Sequence, residues 1–159
     1  MLHNIYTFFL GIILAIFVGV GIAVFYPAPQ MPTDNLNIEY NDKGTPATEE
    51  DKKKEANQNT AWEEHSKKSQ AYSRNVSLIA MAIAVVLASV GLLFEKRVSL
   101  LANGVLLGGL FLLLYSLGHS FASANTKFSF AVTGVCLLVT IAIGYRKFGP
   151  HAPAAVKKK

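Results

Sequence analysis

Four long stretches of this 159-residue chain contain no charge at all, and that lack decides more than any motif does. Ile5 to Tyr26, Val76 to Phe94, Val98 to Gly118 and Phe128 to Tyr145 hold no Asp, Glu, Lys or Arg. A charge at the centre of a bilayer costs at least about 2.5 kcal/mol. Crossing a hydrocarbon core of about 30 Å takes about 20 apolar residues. Each run meets both conditions, whereas a soluble four-helix bundle would carry a polar face on every helix.

Cysteine is nearly absent too. Cys136 stands alone inside the last apolar run, which excludes an intramolecular disulfide and a CxxC metal set. No Gly-rich phosphate loop occurs, and no nucleophile with an adjacent base, carboxylate pair or metal-ligand spacing lies at a plausible depth. The expectation is that the chain is not an enzyme and takes no metal or cofactor. His3, His65, His119 and His151 are scattered, with no spacing that marks a site.

What is present is apolar: 52% hydrophobic residues against 16% charged, with a mean hydropathy of +0.35. The net charge of +5 sits at the ends of the runs and in one mixed-charge stretch, not in a patch interleaved with aromatics, so nucleic acid is not an expected partner. The predicted fold is an all-α membrane protein of four transmembrane helices, the second extended beyond the membrane by a charged helical segment. Its divisions are a first spanning helix (1–26), a Pro-rich extended linker (27–44), an extramembrane helical segment (45–75), spans at 76–94, 98–118 and 128–145, and a basic tail (146–159).

The first run has no basic n-region, is longer than a signal h-region and lacks a small-residue cleavage site, so it reads as a retained span with Tyr26 as an interfacial anchor. Pro27, Pro29 and Pro32 stiffen the exit. Leu36, Ile38 and Tyr40 alternate as in a short strand, and 41–44 reads as a turn.

The charged segment is predicted to start at Thr45-Pro46, with Glu49, Glu50 and Asp51 in the first turns where the helix dipole favours them. Glu49 with Lys53, Glu50 with Lys54, Glu63 with Lys67 and Glu64 with Lys68 stand in the favourable i,i+4 order. Asn57 to Thr60 is the weak point, because these residues form helix poorly and Thr60-x-x-Glu63 matches a capping box. The expectation is an unbroken helix from about Ala61 to Phe94, projecting about 22 Å beyond the membrane. Its stripe of Trp62, Ser69, Tyr72, Val76, Ile79, Ile83, Val86, Val90 and Leu93 is the expected contact line.

Four spans make 95–97 a tight hairpin between antiparallel neighbours. Asn103 with the Gly104-x3-Gly108 pair, and the small stripe Ser129, Thr133, Cys136, Thr140 and Gly144, are predicted to pack helix on helix. Short-loop basic residues place both termini in the cytoplasm and 27–75 outside, in a plasma membrane of the bacterial inner kind.

Two functions fit. One is a structural or interaction module that displays the outer helix through Trp62, Ser69 and Tyr72 to a membrane-protein partner, or self-assembles as a homo-oligomer. The alternative is a small oligomeric channel or passive transporter lined by the small faces of helices 3 and 4. The bilayer itself is the remaining partner.

Overall fold

The computed structural model describes residues 2–32, 38–41, 44–46, 48–95 and 97–148. It contains four helices: α1 (Leu2–Phe25), α2 (Glu49–Phe94), α3 (Ser99–Ala122) and α4 (Thr126–Phe148). Each is long and apolar enough, over part of its length, to cross a membrane. The chain divides into two compact units. One is built from the chain up to Pro27 and again from Ser73 onward, the other from Ala28–Tyr72.

In the first unit α3 is the shared element. Its Gly104 and Gly108 face α1, where a Cβ at Gly104 would lie 2.5 Å from Leu10 Cδ2 and one at Gly108 would lie 3.2 Å from the carbonyl oxygen of Gly11. A Cβ at either position would force its neighbours on α1 to shift. Partners advance together along the two chains (Leu10 with Gly104, Leu14 with Gly108, Gly19 with Tyr115), so α1 and α3 run parallel. Phe8 and Phe111 add an edge-to-face contact at 5.9 Å.

A second side of α3 meets α2 in the antiparallel sense, with Ser77 against Ser116, Gly109 against Ala84 and Ala88, and Gly91 against Ala102 and Leu106. The buried residues of this part of α2 include Ser73, Ser77, Ala80, Ala84, Ala88 and Gly91, a small-residue seam at spacings of three and four. The packing within the chain runs along this seam, not along the bulky apolar stripe that begins at Trp62. Val76 is buried, but Ile79, Val86, Val90 and Leu93 are exposed, Leu93 at 78%. Small side chains let backbones approach and gain dispersion contacts, while the bulky apolar ones gain nothing from one another that a hydrocarbon surround would not also supply.

The third side of α3 carries α4, antiparallel again. Ala88, Leu106 and Ile143 form a shared core there, with Leu92, Leu110 and Val139 packed on it. The α3–α4 connection is short: Ala124 takes a left-handed φ of 54°, and Asn125 accepts the Phe128 N–H at 3.2 Å to cap α4. Large apolar side chains cover the outside of this bundle, among them Phe9, Phe17, Leu114, Phe130 and Leu138.

In the second unit the expected helix start moves. The helix begins at Glu49, not at Pro46, because Thr48 caps it: Thr48 Oγ accepts the Asp51 N–H at 3.1 Å and donates to Asp51 Oδ2 at 2.7 Å. Thr60 starts nothing. Its hydroxyl donates back to the Ala56 carbonyl at 2.9 Å in mid-helix. Among the described residues 38–46 hold no strand, only a bridge between Tyr40 and Pro46. The turn there is closed by Asn41, which accepts the Gly44 N–H at 2.8 Å, with Gly44 at a φ of 70°. Leu36, Asp42, Lys43, Lys96 and the tail from 149 onward lie outside the described residues.

Candidate functional site

Asn103 lies near the start of α3, level with the last turn of α4, and this places an amide opposite a lysine. Lys147 Nζ donates to Asn103 Oδ1 and stands 3.6 Å from Glu95 Oε1 in the α2–α3 turn. The lysine and glutamate side chains are only 21% and 24% exposed. A partly screened ion pair that also has a hydrogen-bond partner holds more than a fully solvated one. Three elements are joined here at one end of the bundle.

Hydroxyls do the same work at the other end. Ser77 Oγ donates to the Ser116 carbonyl at 2.9 Å and Ser116 Oγ donates to the Ser77 carbonyl at 2.8 Å, a reciprocal pair with both residues fully buried. One turn on, the Ser120 carbonyl accepts from Ser123 Oγ at 2.7 Å and from Ser129 Oγ at 2.9 Å, tying α4 to α3. Nearby, Asn75 donates to Tyr26 Oη at 2.8 Å, so the tyrosine ending α1 is held by α2.

Between these two polar ends α3 and α4 part. An open groove of about 380 Å³ lies there, walled by Leu110, Leu113, Leu114, Leu117 and Leu137 with Thr133, Cys136 and Thr140. Of the small stripe on α4, Ser129 is buried against α3, but Thr133 and Thr140 are exposed at the groove. The two hydroxyls donate to their own backbone, Thr133 to Ser129 and Thr140 to Cys136, each at 2.8 Å. The groove therefore presents mostly carbon.

Trp62, Ser69 and Tyr72 belong to the second unit. Trp62 is 46% exposed and packs edge to face on His65 at 5.9 Å, while Ser69 and Tyr72 are half-buried. His65 Nε2 lies 3.4 Å from the Pro29 carbonyl, which brings the proline segment alongside the helix. The three predicted residues are thus unequally open, Trp62 more than Ser69 and Tyr72. Asp51 is buried, and the Thr48 hydroxyl bonded to its carboxylate, with Lys54 3.6 Å away, holds it below the usual carboxylate range. Ion pairs decorate the outer side: Glu49 with Lys52 at 2.6 Å, Glu50 with Lys54 and Glu64 with Lys68 each at 3.8 Å. Glu49 thus takes Lys52 in place of the expected Lys53.

Sequence reasoning missed Lys147 as the partner of both Asn103 and Glu95, and missed the serine pair. The signal for the serines was present, since Ser73 and Ser77 begin a small-residue stripe that Ala80, Ala84, Ala88 and Gly91 continue at spacings of three and four. Among the described residues no three His, Cys, Asp or Glu side chains come together as a metal set would require. Comparison with protein-family models, with curated proteins and with solved structures finds no match to this chain.

Proposed function

We propose that this chain is a four-span integral membrane protein of a plasma membrane of the bacterial inner kind, working as a structural or interaction module. Both termini lie in the cytoplasm, and residues 27–75 form the outer part that meets a membrane-protein partner or a second copy. One observation supports this most: a bundle whose outside is bulky and apolar shares one helix with a segment whose outside is charged. The first surface suits lipid, which offers no polar partners; the second suits water and other proteins.

Alkaline carbonate extraction tests insertion, and release of the chain into the supernatant would sink it. Topology is read by an impermeant thiol reagent on intact cells, with Ser66→Cys expected to label and a cysteine appended at the C-terminus expected not to. The reverse pattern would overturn the orientation. Native mass measurement in mild detergent then reads the interaction role, which a strict monomer with no bound chain would remove.

The groove between α3 and α4 favours a second reading, a passive path for apolar solutes in an oligomer. Flux in proteoliposomes that persists unchanged in Thr133→Leu and Thr140→Leu would end it.

A further inference from the structure

Acidic and basic residues are unevenly shared along this chain. Outside residues 34–64 the only acidic side chain is Glu95, and it already has a partner, its carboxylate standing 3.6 Å from Lys147 Nζ. Further basic residues collect around that pair. Arg97 follows Glu95 in the α2–α3 turn, and Arg146 precedes Lys147 in the last turn of α4. The Glu95–Lys147 contact joins the two segments, and the Lys147–Asn103 hydrogen bond ties them to α3. Two arginines from different elements are thus carried to one corner of the bundle.

Both arginines are exposed, and neither has an ion pair among the described residues. Their backbones are nevertheless fixed: the Arg97 N–H donates to the Phe94 carbonyl at 3.0 Å, and Arg146 lies within α4. The neighbouring residues mark their depth. Tyr145, beside Arg146, is 63% exposed, and tyrosine favours the headgroup level of a bilayer, where the lipid phosphates lie. Toward the middle of the bundle Leu93, Leu138 and Ile141 are exposed, a surface of carbon that suits acyl chains. We propose that this corner binds the headgroup of an anionic phospholipid, Arg97 and Arg146 meeting its phosphate while the Glu95–Lys147 pair holds the two arginine-bearing segments in place.

The inference rests on the membrane reading and does not depend on which side the termini face. A guanidinium suits the role because it presents a planar fork of donors that matches phosphate oxygens. Each basic residue near an anionic membrane surface strengthens binding by a factor of about five. The other end of the bundle provides the comparison. Arg74 and Lys127 are exposed there, but no ion pair among the described residues joins their segments.

The test titrates the full chain, in mild nonionic detergent, with dioleoylphosphatidylglycerol or dioleoylphosphatidylcholine and counts bound lipid by native mass measurement. The first phosphatidylglycerol is expected to bind at least about fivefold tighter than phosphatidylcholine. Arg97→Gln with Arg146→Gln should remove that preference, leaving phosphatidylcholine binding and the helix content by far-UV circular dichroism unchanged. Arg74→Gln with Lys127→Gln should move it less than about twofold, well under the effect of one lost basic residue. Equal affinity for the two lipids, or equal loss of preference in the two double variants, overturns the proposal. So does a preference that survives the arginine changes and disappears when Lys157, Lys158 and Lys159 are replaced by Gln, which would assign it to the tail. Inorganic phosphate at the lipid's concentration is expected not to displace it; displacement would make this a site for a soluble anion and overturn the lipid assignment. A chain retained in carbonate with no lipid preference loses this inference alone, whereas carbonate release removes the membrane reading.

Discussion

The two parts of α2 mark their contact faces with opposite kinds of residue. From Ser73 onward the inward face is mostly Ser, Ala and Gly, with Val76 among them, and Leu78, Ile79, Val86, Val90 and Leu93 point out. Up to Tyr72 the covered face is Asp51, Gln58, His65, Ser69 and Tyr72, and the outward face is long and charged. One helical period serves both, so periodicity alone does not say which residues touch a neighbour. The surround does. In water a helix hides its carbon, while in the bilayer setting proposed for the bundle it hides its backbone and small polar groups.

The largest expected effect breaks the small-residue side of this comparison. A Cβ at Gly109 would lie 3.1 Å from the Ala84 carbonyl oxygen and 3.3 Å from the Ala88 nitrogen, both backbone atoms with nowhere to move. Gly109→Leu is expected to cost about 1–3 kcal/mol or more in stability, the usual range for overpacking. Denaturation of the purified chain in mixed micelles reads this directly. An Ile79→Leu control on the exposed side should change it by well under 1 kcal/mol.

Next in size is the cap that starts the charged part. Thr48→Ala removes the acceptor of the Asp51 N–H and is expected to cost the helix about 1 kcal/mol. Amide exchange at 49–53 should rise several-fold while exchange in α3 stays unchanged. Acid should act at the same place. Because Asp51 titrates below its ordinary value of about 3.9 in the folded state, its contribution is present above that value and fades as pH falls through the lower, folded one. Fraying confined to this first turn below about pH 4 is therefore expected; fraying that sets in near pH 6 would assign it to another group.

The number, order and approximate ends of the helices were legible because uninterrupted apolar runs of this length have few other uses. The tight approach at Gly104 and Gly108 was legible for a similar reason, since a small-x3-small pair has a narrow range of physical roles. Which residues of α2 face inward was not. Val76, Ile79, Ile83, Val86 and Val90 are as periodic as Ser77, Ala80, Ala84 and Ala88, and only the choice of surround separates the two stripes. Asn103 was singled out, but its partner Lys147 is distant in sequence, and no local pattern brings the two together.

The serine pair offers a smaller and cleaner break. Ser77→Ala removes the donor to the Ser116 carbonyl and leaves the Ser116 hydroxyl its own bond to the Ser77 carbonyl. Interhelical hydrogen bonds in membrane bundles average about 0.6 kcal/mol, so a loss near that value is expected. A double-mutant cycle with Ser116→Ala measures the coupling. Loss above about 2 kcal/mol would show that the pair closes the whole end of the bundle rather than one contact.

The smallest expected effect has the opposite sign and separates two threonines that look alike in sequence. Thr48-x-x-Asp51 and Thr60-x-x-Glu63 both match a helix-start pattern, yet Thr48 caps and Thr60 sits in mid-helix with its hydroxyl turned back to Ala56. A residue in that state contributes no cap, and its branched Cβ costs helix propensity relative to alanine. Thr60→Ala should therefore stabilise the segment by up to about 0.7 kcal/mol, seen as slower amide exchange from 57 to 64. Faster exchange there would mean that the hydroxyl is needed as a cap, that the helix breaks at Thr60 in solution, and that the charged part is a hinged arm rather than a continuation of α2. The two threonines differ in what precedes them. Ahead of Thr48 the Gly44 turn and Pro46 have already stopped any helix, whereas ahead of Thr60 the turns from Glu49 onward are formed and held by their own ion pairs, so extension needs no new nucleus.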